Sequence, residues 1–250
     1  MSGVESVDTA IGVARSLLIY YGQPWRRRQL RRFYSGLIAP GDLVFDIGAH
    51  VGSRSRTLLS LGAEVVAVEP QPVFADIIGM HLAGRLKGFE RVAVGAGEGE
   101  AVLHISSRHP TVTTISDRFI KGVSHADGFR NVIWDREIRL PMTTLDRLID
   151  KYGPPAFCKI DVEGAEADIL RGLSRPIGLI AFEYTPALPE IAREAIDRLR
   201  RLGNYRFNRV IGERHSFVEA EWSDADTVLK ALAMLAPESR SGDIYARLMP

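Results

Sequence analysis

The chain has 250 residues, 46% of them apolar and 25% charged, with 32 basic against 31 acidic side chains and a formal net charge of +1. At roughly 150 residues per domain this length suits one α/β domain with a small appendage, and the apolar content excludes wholesale disorder. The charge balance excludes a strongly basic nucleic-acid coat, and the single cysteine, Cys158, excludes an intrachain disulfide or a cysteine-based zinc site.

Only five lysines occur, so most positive charge is arginine, the better reader of carboxylate and phosphate. The longest stretch without charged residues, Ser16 to Trp25, is half of the roughly 20 residues a bilayer span needs. Glu5 and Asp8 stand where a signal peptide carries a basic region. A cytoplasmic protein with no membrane partner is expected.

From Val7 to Tyr34 the apolar spacing is helical, with Ile11, Ala14, Leu17 and Leu18 on one face. Gly22 and Pro24 break this pattern, and the second helix carries Arg26, Arg27, Arg28, Arg31 and Arg32. That run reads as a solvated helix face; a nucleic-acid or partner surface is the alternative, disfavoured because no basic stripe interleaved with aromatics appears elsewhere. After the turn Pro40-Gly41-Asp42, the run from Leu43 predicts a strand, Ser53 to Leu61 a helix and Glu64 to Val68 a second strand. Val73 to Leu86 reads as a helix and Phe89 to Val94 as a third strand.

The alternation lapses between Ala96 and Pro141, where Ala101 to Ile105 and Ile138 to Leu140 read as strands around a long polar loop. It resumes with a helix at Thr143 to Asp150, a strand at Ala156 to Ile160, a helix at Glu163 to Leu173 and a strand at Gly178 to Phe182. A helix at Leu188 to Leu202, strands at Tyr205 to Val210 and Asp243 to Leu248, and a helix at Asp224 to Leu235 complete the chain. Strands alternating with helices predict a parallel sheet covered on both faces. The expected division is an N-terminal helical extension over 1–36 and one domain over 37–250, with 106–136 as an insertion.

Asp46-Ile47-Gly48-Ala49-His50-Val51-Gly52 follows the first strand, where open α/β sheets bind ligands and glycines let the backbone come close. Asp46 would repel a pyrophosphate and attract an ammonium group. Val65-Val66-Ala67-Val68-Glu69 ends the second strand in an acid placed for ribose hydroxyls. Taken singly, Asp46 reads equally well as a helix N-cap and Glu69 as a loop acid. Together, after two apolar strands, they suit a ligand with a cationic amino-acid end and an unphosphorylated ribose, such as S-adenosylmethionine.

Phe45-Asp46-Ile47-Gly48-Ala49-His50-Val51-Gly52, Ala67-Val68-Glu69-Pro70, Ala93-Val94-Gly95, Thr144-Leu145-Asp146, Lys159-Ile160-Asp161-Val162-Glu163-Gly164-Ala165-Glu166 and Phe182-Glu183 resemble the landmarks of the FkbM methyltransferase family. The resemblance runs from about Gly36 to Glu183, with weaker agreement at Gly242-Asp243-Ile244-Tyr245-Ala246. It implies a class I methyltransferase fold, Rossmann-like, with seven mostly parallel strands, the last antiparallel, and helices on both faces. It also implies methyl transfer from S-adenosylmethionine to hydroxyl oxygens, chiefly of sugars and secondary metabolites. Cofactor contacts are expected from Asp46, Gly48, Ala49, His50, Gly52, Glu69, Pro70, Ala93 and Asp161. His50 departs from the commoner middle glycine of the wider fold and reads equally as a turn histidine.

Asp161, Glu163 and Glu183 are the candidate catalytic residues, as base or as ligands of a divalent cation; Glu166 reads as structural, in the first turn of a helix. Within the loop, His109, Thr111, Thr113 and Trp134 are the candidate acceptor contacts, with Thr114, His125 and Asp135 beside them; polar groups with an aromatic suit a small-molecule or carbohydrate acceptor. A nicotinamide-dependent sugar oxidoreductase is the second enzyme reading, opposed by Asp46 and by the lack of a Tyr-x-x-x-Lys pair. An RNA-modifying or RNA-binding protein using Arg26–Arg32 is the third, and a catalytically dead binding module the fourth. Acceptor identity, metal dependence and oligomeric state are open at this level.

Overall fold

In the computed structural model, residues 3–22, 24–124, 126 and 129–250 are described. Helix α1 (Gly3–Tyr21) ends at Gly22, whose amide donates to the Leu18 carbonyl at 2.9 Å, and α2 (Pro24–Tyr34) follows. The sheet is then built from β1 (Leu43–Ile47), β2 (Glu64–Val68), β3 (Gly88–Glu90), β7 (Phe157–Ile160), β8 (Leu179–Tyr184), β9 (Tyr205–Ile211) and β10 (Gly242–Leu248). Helices α3 (Ser53–Leu59), α4 (Pro72–His81), α6 (Leu145–Tyr152), α7 (Glu166–Arg171), α8 (Pro189–Leu202) and α9 (Ala225–Ala233) connect them.

The strand order is β3-β2-β1-β7-β8-β10-β9. β1, β2, β3, β7 and β8 pair in parallel, whereas β10 runs antiparallel to both β8 and β9. This is the class I methyltransferase arrangement. β1, β2 and β7 are buried nearly end to end because helices cover both faces, so their sequences are apolar runs without alternation. On one face Phe45, Ile47, Val66, Val68, Ile160 and Phe182 pack with α7 and α8. On the other, Val44, Val65, Phe157 and Tyr245 meet Leu58 of α3 and Tyr34 of α2. Tyr34 is 1% exposed, with its ring centroid 5.7 Å from that of Phe157, so the C-terminal end of α2 belongs to the core of the sheet.

Three expectations need correction. The run Phe89 to Val94 is not one strand. β3 ends at Glu90, Arg91 turns back to an ion pair with Asp76 at 2.8 Å, and β4 (Ala93–Val94) joins a second sheet. That sheet, β4-β6-β5, contains β5 (Gly99–Ile105) and β6 (Arg136–Thr143), which pair antiparallel from Gly99↔Met142 to Ile105↔Arg136. The helix expected at Glu163 to Leu173 begins only at Glu166, because Glu163 (φ 55) and Gly164 (φ 90) are left-handed. The helix expected to reach Leu86 stops at His81 and is followed by a 3₁₀ turn, Ala83–Arg85.

Segment 106–136 contains a 3₁₀ turn at Pro110–Val112 and α5 (Asp117–Val123). Ser116 caps α5 by accepting a hydrogen bond from the Phe119 amide. Its two ends are tied together, since the Ser107 amide donates to Asp135 Oδ1 at 2.8 Å. His125 lies outside the described residues. Among the described residues no helix is long and apolar enough to cross a membrane.

Candidate active site

The carboxyl ends of β1, β2 and β7 open into a cleft of about 890 Å³, counting the space at its mouth. Its floor is the turn after β1. Gly48 (φ 82) has no room for a side chain, since a Cβ would lie 1.9 Å from the Asp161 carbonyl oxygen. The Gly48 and Ala49 amides donate to the Val68 carbonyl at 2.9 and 3.0 Å, fixing the turn to the end of β2. Gly52 (φ 74) precedes α3, and a Cβ there would meet Leu82 Cδ1 at 2.5 Å. Gly52 therefore shapes the turn from behind and does not line the cleft.

Asp46 is also beneath the lining, fully buried, and accepts a hydrogen bond from Ser55 Oγ at 2.5 Å. Burial raises its carboxyl pKa. Its expected contact with a ligand ammonium is therefore not direct in this arrangement: the carboxylate braces the start of α3. Glu69, in contrast, lines the cleft beside Pro70. Its two carboxylate oxygens accept the amides of His50 at 2.7 Å and Gln71 at 2.8 Å, while burial pushes its pKa up to about 7. Each oxygen keeps a second lone pair for a hydroxyl donor. His50 is left-handed (φ 51), its ring centroid is 3.9 Å from that of Phe74, and burial lowers its pKa to about 4. The imidazole is thus neutral at physiological pH, and its Nε2 is buried with no partner.

Across the cleft, Asp161 ends β7 and Arg54 reaches it from α3, Nη1 to Oδ2 at 2.7 Å. Beneath them Lys159, 0% exposed, lies 2.9 Å from Asp243 and 3.6 Å from Asp161 and donates to the Ile160 carbonyl. Burial works against ionisation of Asp161, but Lys159 and Arg54 together hold its pKa below the ordinary value. Glu163 and Glu183 have no cation within ion-pair distance among the described residues, and their pKa values are raised well above the ordinary carboxylate range, first by burial and then by neighbouring acids, which outweigh Lys159. One oxygen from each of Asp161, Glu163 and Glu183 lies within 4.8 Å of the others. Glu166 is 2% exposed and accepts the Gly164 amide at 3.2 Å, a structural role for its loop.

A turn of close backbone approach after β1, an acid at the end of β2 and further acids after β7 line one cleft. The methyltransferase FkbM domain model matches residues 46–235, which contain every one of these groups. The chain belongs to the FkbM methyltransferase family.

A search of curated protein sequences gave no match. Among solved structures, this FkbM methyltransferase is similar to a precorrin-6Y C5,15-methyltransferase from Geobacter metallireducens, at 12% identity and a TM-score of 0.47, covering 89% of this chain and 87% of that one. It is also similar to an O-methyltransferase from Bacillus cereus solved with SAH, at 13% identity and a TM-score of 0.46, covering 100% of this chain and 92% of that one.

Another wall of the FkbM methyltransferase cleft comes from residues 110–115 and from Tyr20 of α1. Thr111 and Thr113 line it, and Thr113 Oγ1 is buried without a partner. Thr114 Oγ1 donates to the Glu163 carbonyl at 2.6 Å, linking the segment to the acid rim. His109 and Trp134 do not line the cleft. His109 faces Arg15 of α1, 3.5 Å away, and the Trp134 indole donates to the Val112 carbonyl at 2.9 Å, so it pins the loop from outside. Ala93 lines the far wall from β4.

Sequence reasoning missed Arg54 and Tyr20. Arg54 carried a signal, since a cation in the first turn of a helix opposes the dipole and needs a nearby acid. Tyr20 of α1 lines the cleft, with its ring 5.2 Å from that of His50, and burial raises its pKa. The neighbouring Tyr21 hydroxyl donates to the Val51 carbonyl at 2.8 Å, which docks α1 on the turn after β1.

Proposed function

We propose that this FkbM methyltransferase binds S-adenosylmethionine in the cleft and methylates a hydroxyl oxygen of a small molecule or sugar. The observation that carries the reading is Glu69, held by two backbone amides at the end of β2 in a cleft that Asp161 and Glu163 also line, with Glu183 behind them outside the lining. Glu69 accepts the ribose hydroxyls, and the Gly48–Ala49–His50 turn receives the amino-acid end, with Asp161 as the ionised group that attracts its positive charge. The cofactor, when bound, supplies an electrophilic methyl group.

The chain's own residues then hold the acceptor and take its proton. Thr111 and Thr113 orient hydroxyls, while Glu163 or Glu183, with a raised pKa, receives the proton. Arg54 and Lys159 already supply positive charge at Asp161, which supports a proton rather than a divalent cation as the occupant of the acid cluster. Segment 106–136 acts as the acceptor-binding insertion of the domain over 37–250, and the whole is read as a cytoplasmic enzyme.

Calorimetry tests the cofactor assignment: the chain should bind S-adenosylhomocysteine, and Glu69→Ala should weaken that binding by about 1–3 kcal/mol. Binding of NAD without S-adenosylhomocysteine would overturn it.

A further inference from the structure

Beside the cofactor cleft lies a second cavity, of about 1080 Å³ with its mouth included, between α1, α2, α3 and the loop after β9. Tyr20 and Ser53 line both cavities, so the two share a wall. Arg26 and Arg27 enter it from α2 and Arg56 from α3, and His215 faces them from the loop. Among the described residues Glu213 is the one acid in its lining, and it engages His215 at 3.5 Å.

Several arginines elsewhere on this chain are matched to acids. Arg54, Arg91, Arg118, Arg147, Arg171 and Arg175 each stand within ion-pair distance of a carboxylate. Arg26, Arg27 and Arg56 have no carboxylate at that distance among the described residues; Arg56 lies instead over the Tyr21 ring, 5.6 Å from its centroid. Three guanidinium groups lining one concavity repel one another, and an anion placed among them relieves that repulsion. Their planar forks match phosphate oxygens two at a time.

We infer that this cavity binds a phosphate or diphosphate group of the methyl acceptor, so that the acceptor is a sugar phosphate or a nucleotide-linked sugar whose hydroxyl reaches past Tyr20 to the acid rim. The inference rests on the methyltransferase reading above and names its substrate class. A nucleic-acid groove fits less well, because the site is concave, carries an acid and sits on a chain of net charge +1.

The test is calorimetry of the full chain with inorganic pyrophosphate and with uridine diphosphate, in wild type, Arg26→Gln/Arg27→Gln and Arg56→Lys. Arg26 and Arg27 are exposed, so the double variant should fold, and retained S-adenosylhomocysteine affinity checks this. Pyrophosphate should bind wild type, and the double variant should lose at least about tenfold in affinity. Arg56→Lys keeps the charge but not the fork and should lose several-fold. Uridine diphosphate binding much tighter than pyrophosphate supports a nucleotide-linked acceptor, and equal binding supports a sugar phosphate.

No pyrophosphate binding by wild type, or binding equal in all three proteins, overturns the inference. Tight binding of a short single-stranded RNA that is lost in the double variant, and with which pyrophosphate does not compete, overturns it in favour of a nucleic-acid surface. A wild type that binds pyrophosphate but not S-adenosylhomocysteine would instead remove the cofactor assignment and leave the anion site standing.

Discussion

The Arg54 guanidinium at the start of α3 lies 2.7 Å from the Asp161 carboxylate at the end of β7, joining the helix after the first strand to the strand beside it. The pair is the upper layer of a charged column whose lower layer is Lys159 with Asp243 of β10. The column makes the cleft wall rigid where β1 and β7 separate. It also keeps Asp161 ionised while its neighbours Glu163 and Glu183 hold their protons more tightly.

Removing Arg54 leaves Asp161 beside Lys159 alone. Arg54→Gln should lower stability at neutral pH by about 1–3 kcal/mol, since a largely buried charge loses its closest partner. The Asp161 pKa is depressed on folding, so the pair's contribution is present above the unfolded value of 3.8 and fades as pH falls through the folded one. Urea unfolding of both proteins should therefore show a gap at neutral pH that narrows in strong acid. Equal midpoints at neutral pH would mean that the contact contributes nothing.

Glu69 has the opposite sign. Its pKa is raised to about 7, so the folded protein keeps a proton that the unfolded chain releases near 4.5, and stability declines as pH rises between these values. Ribose hydroxyls that donate to the carboxylate favour its ionised form. The affinity for S-adenosylhomocysteine should thus increase between roughly pH 6 and pH 8, and Glu69→Gln should flatten that dependence as well as weaken binding. Calorimetry at both pH values decides, and a slope that survives in Glu69→Gln would assign it to another group.

His50 combines a left-handed backbone with a ring wedged between Phe74 and Tyr20. Asn tolerates φ > 0, whereas a β-branched residue does not. His50→Asn should keep a normal fold, and His50→Val should cost about 1–3 kcal/mol by thermal or urea unfolding. The folded pKa of about 4 lies below that of a free imidazole, so the unfolded chain takes up the proton first as pH falls below 6.5. Acidification from 6.5 towards 4 should consequently destabilise wild type more than His50→Asn. Parallel pH–stability curves would show that the imidazole titrates freely.

Much of this site could be read from the chain because apolar runs and their terminal acids are local signals. Val65 to Val68 followed by Glu69, and Phe157 to Ile160 followed by Asp161, mark both the strands and the edge at which the acids emerge. Other features depend on partners far away in sequence. Arg54 and Asp161 are 107 positions apart, and Tyr20 reaches the cleft only because Tyr21 docks α1 on Val51. The second sheet escaped notice because β6 shows a strand's alternation, Ile138, Leu140 and Met142 inward, but not that its partners are β4 and β5 and not the main sheet. The helix expected from Glu163 starts later because Gly164 turns left-handed against Phe119, where a Cβ would come within 2.5 Å. That turn aims Glu163 at the cleft.

The acid rim yields the last prediction. Asp161, Glu163 and Glu183 gather three carboxylates within 4.8 Å, and three full negative charges at that separation need compensation. Arg54 and Lys159 neutralise Asp161, while Glu163 and Glu183 are left to share protons, each raised by burial and by its acidic neighbours. A carboxyl whose pKa is raised binds a proton more strongly than Asp161, whose pKa is depressed. The rate should therefore rise with pH along a limb displaced above the range of a free carboxylate. Glu183→Gln should lower kcat by about 10²-fold or more and move that limb, whereas Asp161→Asn should mainly raise the apparent constant for the cofactor. Chelation with EDTA should leave the wild-type rate unchanged. If instead activity collapses on chelation and returns with Mg²⁺ or Mn²⁺, the three acids are ligands of a cation, and the proton-sharing account of Glu163 and Glu183 is wrong.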